Sequence, residues 1–207
     1  AGGALALAEA ATGAAVDAAD VVAFAIDEHV TAGLILGGRL WRGAHGLAGS
    51  VGWLALNPVE REDYRRYGGL EAEISAAGIV RRLAWRVKSG DRSRVSDAVG
   101  GDFSRLAATD VLQAARDGDG VAISIVRDTA RYAGMAVANL VSVADPEVVV
   151  LGGLLASAGD LMLEAIRLEA ARRLGPSHAE TLRIELAVLG VEAVAIGAAR
   201  AASPGAS

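Results

Sequence analysis

Residues 117–153 read "DGDGVAISIVRDTARYAGMAVANLVSVADPEVVVLGG": a helix-sized stretch, an Asp-Pro stop, and a strand-sized stretch. Ile123, Val126, Ala130, Ala133, Val137 and Leu140 recur at helical spacing, which predicts a long and largely buried helix. Asp145 and Pro146 end it, because proline carries no N–H and disfavours helical backbone before it. "EVVVLGG", 147–153, is an unbroken apolar run without polar alternation, the pattern of a strand buried on both faces. A long buried helix that feeds such a strand is the kernel of an α/β layer.

Downstream, residues 158–174 have helical spacing, "LRIELAVLG" at 182–190 reads as another strand, and 192–202 as a last helix. Upstream, "DVVAFAID" at 20–27 and "AGLILGGRLWRGA" at 32–44 are rich in branched and aromatic residues and broken by glycines. Gly37 and Gly38 supply a hairpin turn, which predicts three short antiparallel strands. "ALALAEAAT", 4–12, is strongly helix-forming and ends near Gly13. Residues 70–83 again look helical, and 88–104 are polar and glycine-broken, a loop or short-helix region. Strands first, then alternating helix and strand, predict an α/β domain with a mixed sheet. The short "ASPGAS" tail is expected to fray.

Of 207 residues 53% are hydrophobic, much of that alanine, while aromatics make up only 4%. Such a chain favours close-packed helices over an aromatic-rich sandwich. The net charge of −5 argues against a nucleic-acid surface in this segment, which would need clustered Lys and Arg. The doublets Arg65–Arg66, Arg81–Arg82 and Arg172–Arg173 read as solvated helix faces. The absence of cysteine excludes disulfides, thiolate zinc and cysteine nucleophiles, and fits a reducing cytoplasm. Neither a secretory leader nor an uncharged run of bilayer length is present, so a membrane partner is not expected. With Ala1 where a methionine would stand, the chain is expected to be cut from something longer or processed.

Three stretches carry a resemblance. "GLILGGRLWRGAHGLAG" (33–49), "RDGDGVAISIVRDTARYAGMAVANLVSVADPEVVVLGG" (116–153) and "LGVEAVAIGAARAA" (189–202) are similar, in order and spacing, to the ROK family of repressors and sugar kinases. The similarity runs over almost the whole chain and is weakest between about 85 and 115. It implies an actin-like ATPase (ribonuclease H-like) lobe with a mixed sheet and flanking helices. Residues 1–13 would be the tail of a helix from a first lobe, 14–190 the C-terminal lobe, and 191–207 the closing helix and frayed tail.

The resemblance also implies which residues kinase chemistry requires. The family's catalytic aspartate falls on Ala1 and its asparagine on Gly3, and an alanine cannot act as general base. The glycine-rich phosphate loop falls on "DEHVTAG", 27–33, where only Gly33 matches. Asp27 and Glu28 would face a polyphosphate; like charges about 4 Å apart repel by roughly 4 kcal/mol at intermediate dielectric, unless a bound magnesium reverses the effect. The sugar-gripping glutamate and histidine fall on Ser50 and Trp53, within "AGSVGW". That histidine would also ligate a structural zinc with three cysteines, whose positions fall near Glu62, Tyr64 and Gly69, so no zinc is expected. Trp53 is then a core aromatic filling the space, or a ring stacked on a sugar face. His45, in "RGAHGLAG", is a surface or hydrogen-bonded histidine, or a member of the sugar loop. Gly152 and Gly153 match glycines near the nucleotide's adenosine, or serve the strand-to-helix turn.

Three functions compete. One is a kinase-inactive sensory and dimerisation module of transcriptional-regulator type, with a possible sugar ligand and no cofactor. Another is an ATP- and magnesium-dependent, glucokinase-like sugar kinase whose N-terminal lobe is absent from this chain. The third is a structural scaffold lobe. In every case a cytoplasmic homodimer is expected, and residues 1–207 alone are expected to be inactive, because one lobe cannot close a cleft on itself.

Overall fold

The computed structural model describes residues 2–202. The expectations for Ala1 and for most of the "ASPGAS" tail therefore lie outside the described residues. Helix α1 (Gly2–Thr12) leads into strands β1 (Val21–Ile26), β2 (Val30–Leu36) and β3 (Arg39–Trp41), and then a 3₁₀ turn at Val51–Trp53. Helices α2 (Glu62–Tyr67), α3 (Gly69–Ile74), α4 (Ala76–Lys88), α5 (Arg94–Ala98), α6 (Ala108–Arg116) and α7 (Gly120–Ala144) follow. The chain closes with β4 (Val148–Gly153), α8 (Leu154–Ser157), α9 (Gly159–Ala171), α10 (Pro176–Thr181), β5 (Ile184–Leu186) and α11 (Ala193–Ala202).

The strands form one mixed sheet in the order β3-β2-β1-β4-β5. β1, β2 and β3 are antiparallel neighbours, as the glycine-broken pattern predicted, with Gly37 and Gly38 at φ 57° and 76° in the hairpin turn. β4 lies parallel to β1, from Val21 beside Val148 to Ile26 beside Gly153, and β5 lies parallel to β4. All six β1 residues and the first five of β4 are buried, which explains their continuous apolar runs.

Alternation along β1 splits the interior in two. Val22, Phe24 and Ile26 face the larger core, with Leu70, Ile74, Ile79, Leu83 and the apolar sides of α6, α7 and α9. Val21, Ala23 and Ala25 face Leu5, Ala6 and Ala8 of α1 and Ala193 of α11. Small residues on this second side let both helices lie close to the sheet, which accounts for the alanine content.

Helix α7 forms where the spacing predicts, with Val126, Ala130, Ala133, Val137 and Leu140 buried, but Ile123 is exposed and Ile125 takes its place in the core. The start of α7 is set by Asp119, which accepts hydrogen bonds from Val121 N (3.0 Å) and Ala122 N (2.9 Å). The same carboxylate accepts from Ser93 Oγ (3.0 Å) and Arg94 N (2.8 Å), tying the start of α5 to the start of α7. Burial pushes the Asp119 carboxyl upward, but these four hydrogen bonds outweigh it and hold the group below the ordinary aspartate range. A depressed carboxyl contributes stability above its unfolded pKa of about 4 and loses it as pH falls through the folded value. Asp119→Ala is accordingly expected to cost about 1–2 kcal/mol at pH 7, with the difference from the parent shrinking below about pH 4. Urea midpoints at pH 7 and pH 3 check it; a difference that grew on acidification would contradict the assignment.

The structure departs from expectation in several places. The stretch 70–83 is two helices rather than one, because Ser75 leaves helical backbone and its Oγ accepts from Gly78 N (3.1 Å), starting α4 afresh. Short helices α2, α6 and α10 were not expected. β5 covers only three residues of the predicted 182–190. Arg82 is no solvated helix position: its guanidinium turns inward to Glu73 O (2.8 Å) and Ile125 O (2.6 Å). No helix among the described residues is long and apolar enough to cross a membrane.

Candidate functional site

In open α/β sheets ligands gather outside the carboxyl ends of parallel strands, where strand order reverses. Here that place is the end of β1 and β4. β1 runs into the turn Asp27–His29, and β4 ends at Gly153, whose φ of 61° suits glycine. A Cβ on Gly153 would overlap Ile26 O and Asp27 Oδ1, so the Asp27 carboxylate lies directly against the strand end. A cleft of 610 Å³ opens here, lined by Leu5, Ala25, Asp27, Gly153, Val188 and Val191 among others.

The turn is braced from several sides. Asp27 N donates to His29 O (3.1 Å), and Ala76 N donates to Asp27 O (3.1 Å). Glu71, on α3, accepts from Val30 N (2.7 Å) through Oε2, and its Oε1 lies 3.0 Å from His29 Nδ1. Ala32 N donates to Gly49 O (2.8 Å). Amides at three positions in 27–33 are therefore bonded to protein acceptors, and two acidic side chains flank the turn. Thr31 Oγ1, by contrast, is buried without a hydrogen-bond partner among the described residues, a position that is costly to leave unfilled.

A second cleft of 370 Å³ lies at the N-terminal end of α1, lined by Gly3, Ala4, Gly33, Trp41, Gly46 and Ala198 among others. It brings Gly33 together with the loop that carries His45. Gly33 has extended backbone within β2, and a Cβ there would overlap the Gly2 carbonyl. Its requirement for glycine is thus met by the close approach of α1. His45 is exposed, as is Ser50, the residue before the Val51–Trp53 turn. Trp53 corrects the core-aromatic expectation: the residue is 63% exposed. Its backbone sits close under Gly68, which leaves the side chain outward. Gly153 lines the first cleft while Gly152 packs beneath Leu5, Gly33 and the His45 loop border the second, and Leu5 and Gly3–Ala4 place α1 between the two clefts.

The expected zinc positions hold no zinc-like donor set. Trp53 offers no donor, Gly69 begins α3, and Tyr64 donates its hydroxyl to Glu73. No group of three His, Asp or Glu able to hold a metal is present among the described residues. Glu71 and Glu73 were missed in the sequence. Glu71 meets partners more than forty positions away, and no local periodicity signals such a pairing.

The ROK family model matches residues 3–203. The chain belongs to the ROK family. A glucokinase from Halalkalibacterium halodurans is 31% identical over 197 residues, covering 93% of this chain and 58% of the enzyme. Among solved structures, a ROK family transcriptional regulator homologous to the Escherichia coli MLC protein superposes with a TM-score of 0.84 at 27% identity, over 95% of this chain and 49% of that one. A ROK glucokinase from Streptomyces griseus, in complex with glucose and AMPPNP, gives a TM-score of 0.79 at 27% identity, over 95% of this chain and 64% of that one. The chain thus spans roughly half to two-thirds of these ROK proteins' length. Its fold is that of the actin-like ATPases, and its relatives include both kinases and repressors.

Proposed function

We propose that this chain is the sugar-sensing lobe of a ROK protein of transcriptional-regulator type that has lost phosphoryl transfer. The observation that carries the proposal is the 27–33 turn. Glycine-rich loops bind phosphate by leaving backbone N–H groups free for its oxygens. Here Val30 N is bonded to Glu71, Ala32 N to Gly49 O, and the Asp27 carboxylate lies against Gly153. An anion placed there meets repulsion rather than donors. Gly3 and Ser50 at positions that resemble the family's polar groups support the same reading.

Sugar recognition needs less. An exposed tryptophan ring can stack on the apolar face of a pyranose, and nearby hydroxyl, imidazole and carboxylate groups can meet the sugar's hydroxyls. Trp53, Ser50, His45 and the half-buried Glu71 supply that chemistry. Residues 1–13 and 191–207 then complete a lobe formed by 14–190, working as a cytoplasmic homodimer without nucleic-acid contacts of its own. A second reading, an ATP-dependent sugar kinase, is favoured by the cleft beside Gly152 and Gly153. Magnesium-nucleotide would bind there against Gly153 and the Val188–Val191 segment, supplying the phosphoryl group.

Calorimetric titration with glucose, N-acetylglucosamine, mannose and magnesium-ATP tests the proposal, together with a coupled phosphorylation assay. Binding of one sugar, silence with ATP and no turnover are expected. Sugar-dependent ATP consumption by residues 1–207 would overturn it.

A further inference from the structure

Glu73 is 5% exposed and has no part in the sugar-facing surface described above. Its Oε1 accepts from the Tyr64 hydroxyl and from Arg61 Nη1 (2.9 Å). On the other side Arg82 Nη1 stands 3.7 Å from Oε2, and Arg82 is itself moored to Ile125 O on α7. Burial and the bond to Glu73 push the Tyr64 phenol up to about 12, so it remains a donor at any ordinary pH. Arg61 also pairs with Asp63 (2.9 Å) and lies over the Tyr64 ring at 4.8 Å.

These contacts close a strap. Residues 54–68 leave the 3₁₀ turn directly after Trp53 and return directly before α3. Leu54 and Leu56 pack at its start, but α2 buries none of its residues. The strap is fastened mainly by Arg61 and Tyr64, with Asn57 Nδ2 3.5 Å from Tyr132 Oη. Its two ends meet beneath the tryptophan: Leu70 N donates to Leu54 O (3.1 Å), and a Cβ on Gly68 would overlap Gly52 O. On α3, Glu71 holds the β1–β2 turn while Glu73, two positions on, holds the strap. One short helix therefore joins both walls of the corner to α7.

We infer that Glu73 is a positioning residue for the Ser50–Trp53 corner: by gripping Arg61 and Tyr64 it holds the strap shut, and the shut strap sets where the Trp53 ring stands. The inference rests on reading that corner as sugar-facing, and names how the corner is kept in register. It also marks the clasp as a point where affinity can be tuned without touching the ligand.

Glu73→Gln and Tyr64→Phe test it. Tyr64→Phe removes one hydroxyl and leaves the Arg61 and Arg82 contacts to Glu73 in place, so it covers the case in which Glu73→Gln fails to fold. Trypsin cleavage after Arg65 and Arg66 reports opening of the strap. Fluorescence anisotropy reports the ring itself when Trp41→Phe and Trp85→Phe leave Trp53 as the sole tryptophan. Sugar affinity is measured with all three tryptophans in place. Each variant is expected to speed cleavage, lower the anisotropy and weaken sugar binding about tenfold, the loss of one charge-assisted hydrogen bond. Unchanged cleavage and anisotropy would overturn the inference, as would an opened strap with unchanged sugar affinity. If the parent chain takes up no sugar while the variants still lower the anisotropy, the sugar reading fails and the positioning of Trp53 by Glu73 stands.

Discussion

Replacing Glu9 by alanine is expected to destabilise the fold by about 3–5 kcal/mol, because three hydrogen bonds and a fully enclosed carboxylate go with it. Glu9 is 0% exposed. Its Oε2 accepts from Ala14 N (2.8 Å), and its Oε1 accepts from Val188 N (3.0 Å) and Leu189 N (3.1 Å). One side chain thus joins α1, the turn after it, and the segment that leads from β5 into α11. Alanine would leave those N–H groups without their acceptor and open a void where the enclosed carboxylate stood. Glu9→Gln keeps the volume but presents an amide N–H₂ to another donor, so it is expected to recover only part of the loss. Chemical denaturation of parent and variants checks this. An alanine variant within 1 kcal/mol of the parent, a small change by the usual standard, would show that the segment around Val188 relaxes freely.

The second large effect is expected at Gly33. A β-branched side chain there would overlap the Gly2 carbonyl and Gly3 Cα, backbone atoms that cannot swing aside as a side chain could. Gly33→Val must push the first turn of α1 off β2 or distort the strand, at about 3 kcal/mol or more. The damage is not confined to stability. The 370 Å³ cleft is bounded by Gly3, Ala4 and Gly33, so moving α1 changes its shape directly. Gly33→Val is expected to lower the melting temperature and to abolish sugar binding, whereas Gly37→Ala, at an open turn, should leave binding intact. A normal melting temperature for Gly33→Val would mean that α1 is less closely seated than the structure has it.

Gly33 also illustrates what a sequence can disclose. Its glycine was noticed through the resemblance to a phosphate loop, yet the structure supplies a sufficient reason in the approach of a helix. The layers were legible: β1 and β4 are continuous apolar runs because both their faces are covered, and α7 announces itself by period and by Asp145 and Pro146 at its end. Side-chain direction was less so. Arg82 looked like half of a solvated doublet, and Trp53 looked like filler. Nothing in local spacing states that Arg82 finds backbone carbonyls on α7 or that Gly68 closes beneath Trp53. The clasp at Glu73 was illegible for the same reason, since its partners lie in the strap (Arg61 and Tyr64) and on α4 (Arg82).

The pairing of β1 with β4 has a consequence for biosynthesis. The centre of the sheet joins Val21–Ile26 to Val148–Gly153, so the first hairpin must wait while most of the chain is made before its neighbour arrives. Until then the inner edge of β1 presents unpaired amides and carbonyls beside a strip of valine, phenylalanine and isoleucine. Such long-range topology folds slowly, and nascent chains with open apolar edges tend to associate. Truncations ending before Val148 should therefore be chaperone-dependent or insoluble, while the same chain extended past Leu186 can close its sheet.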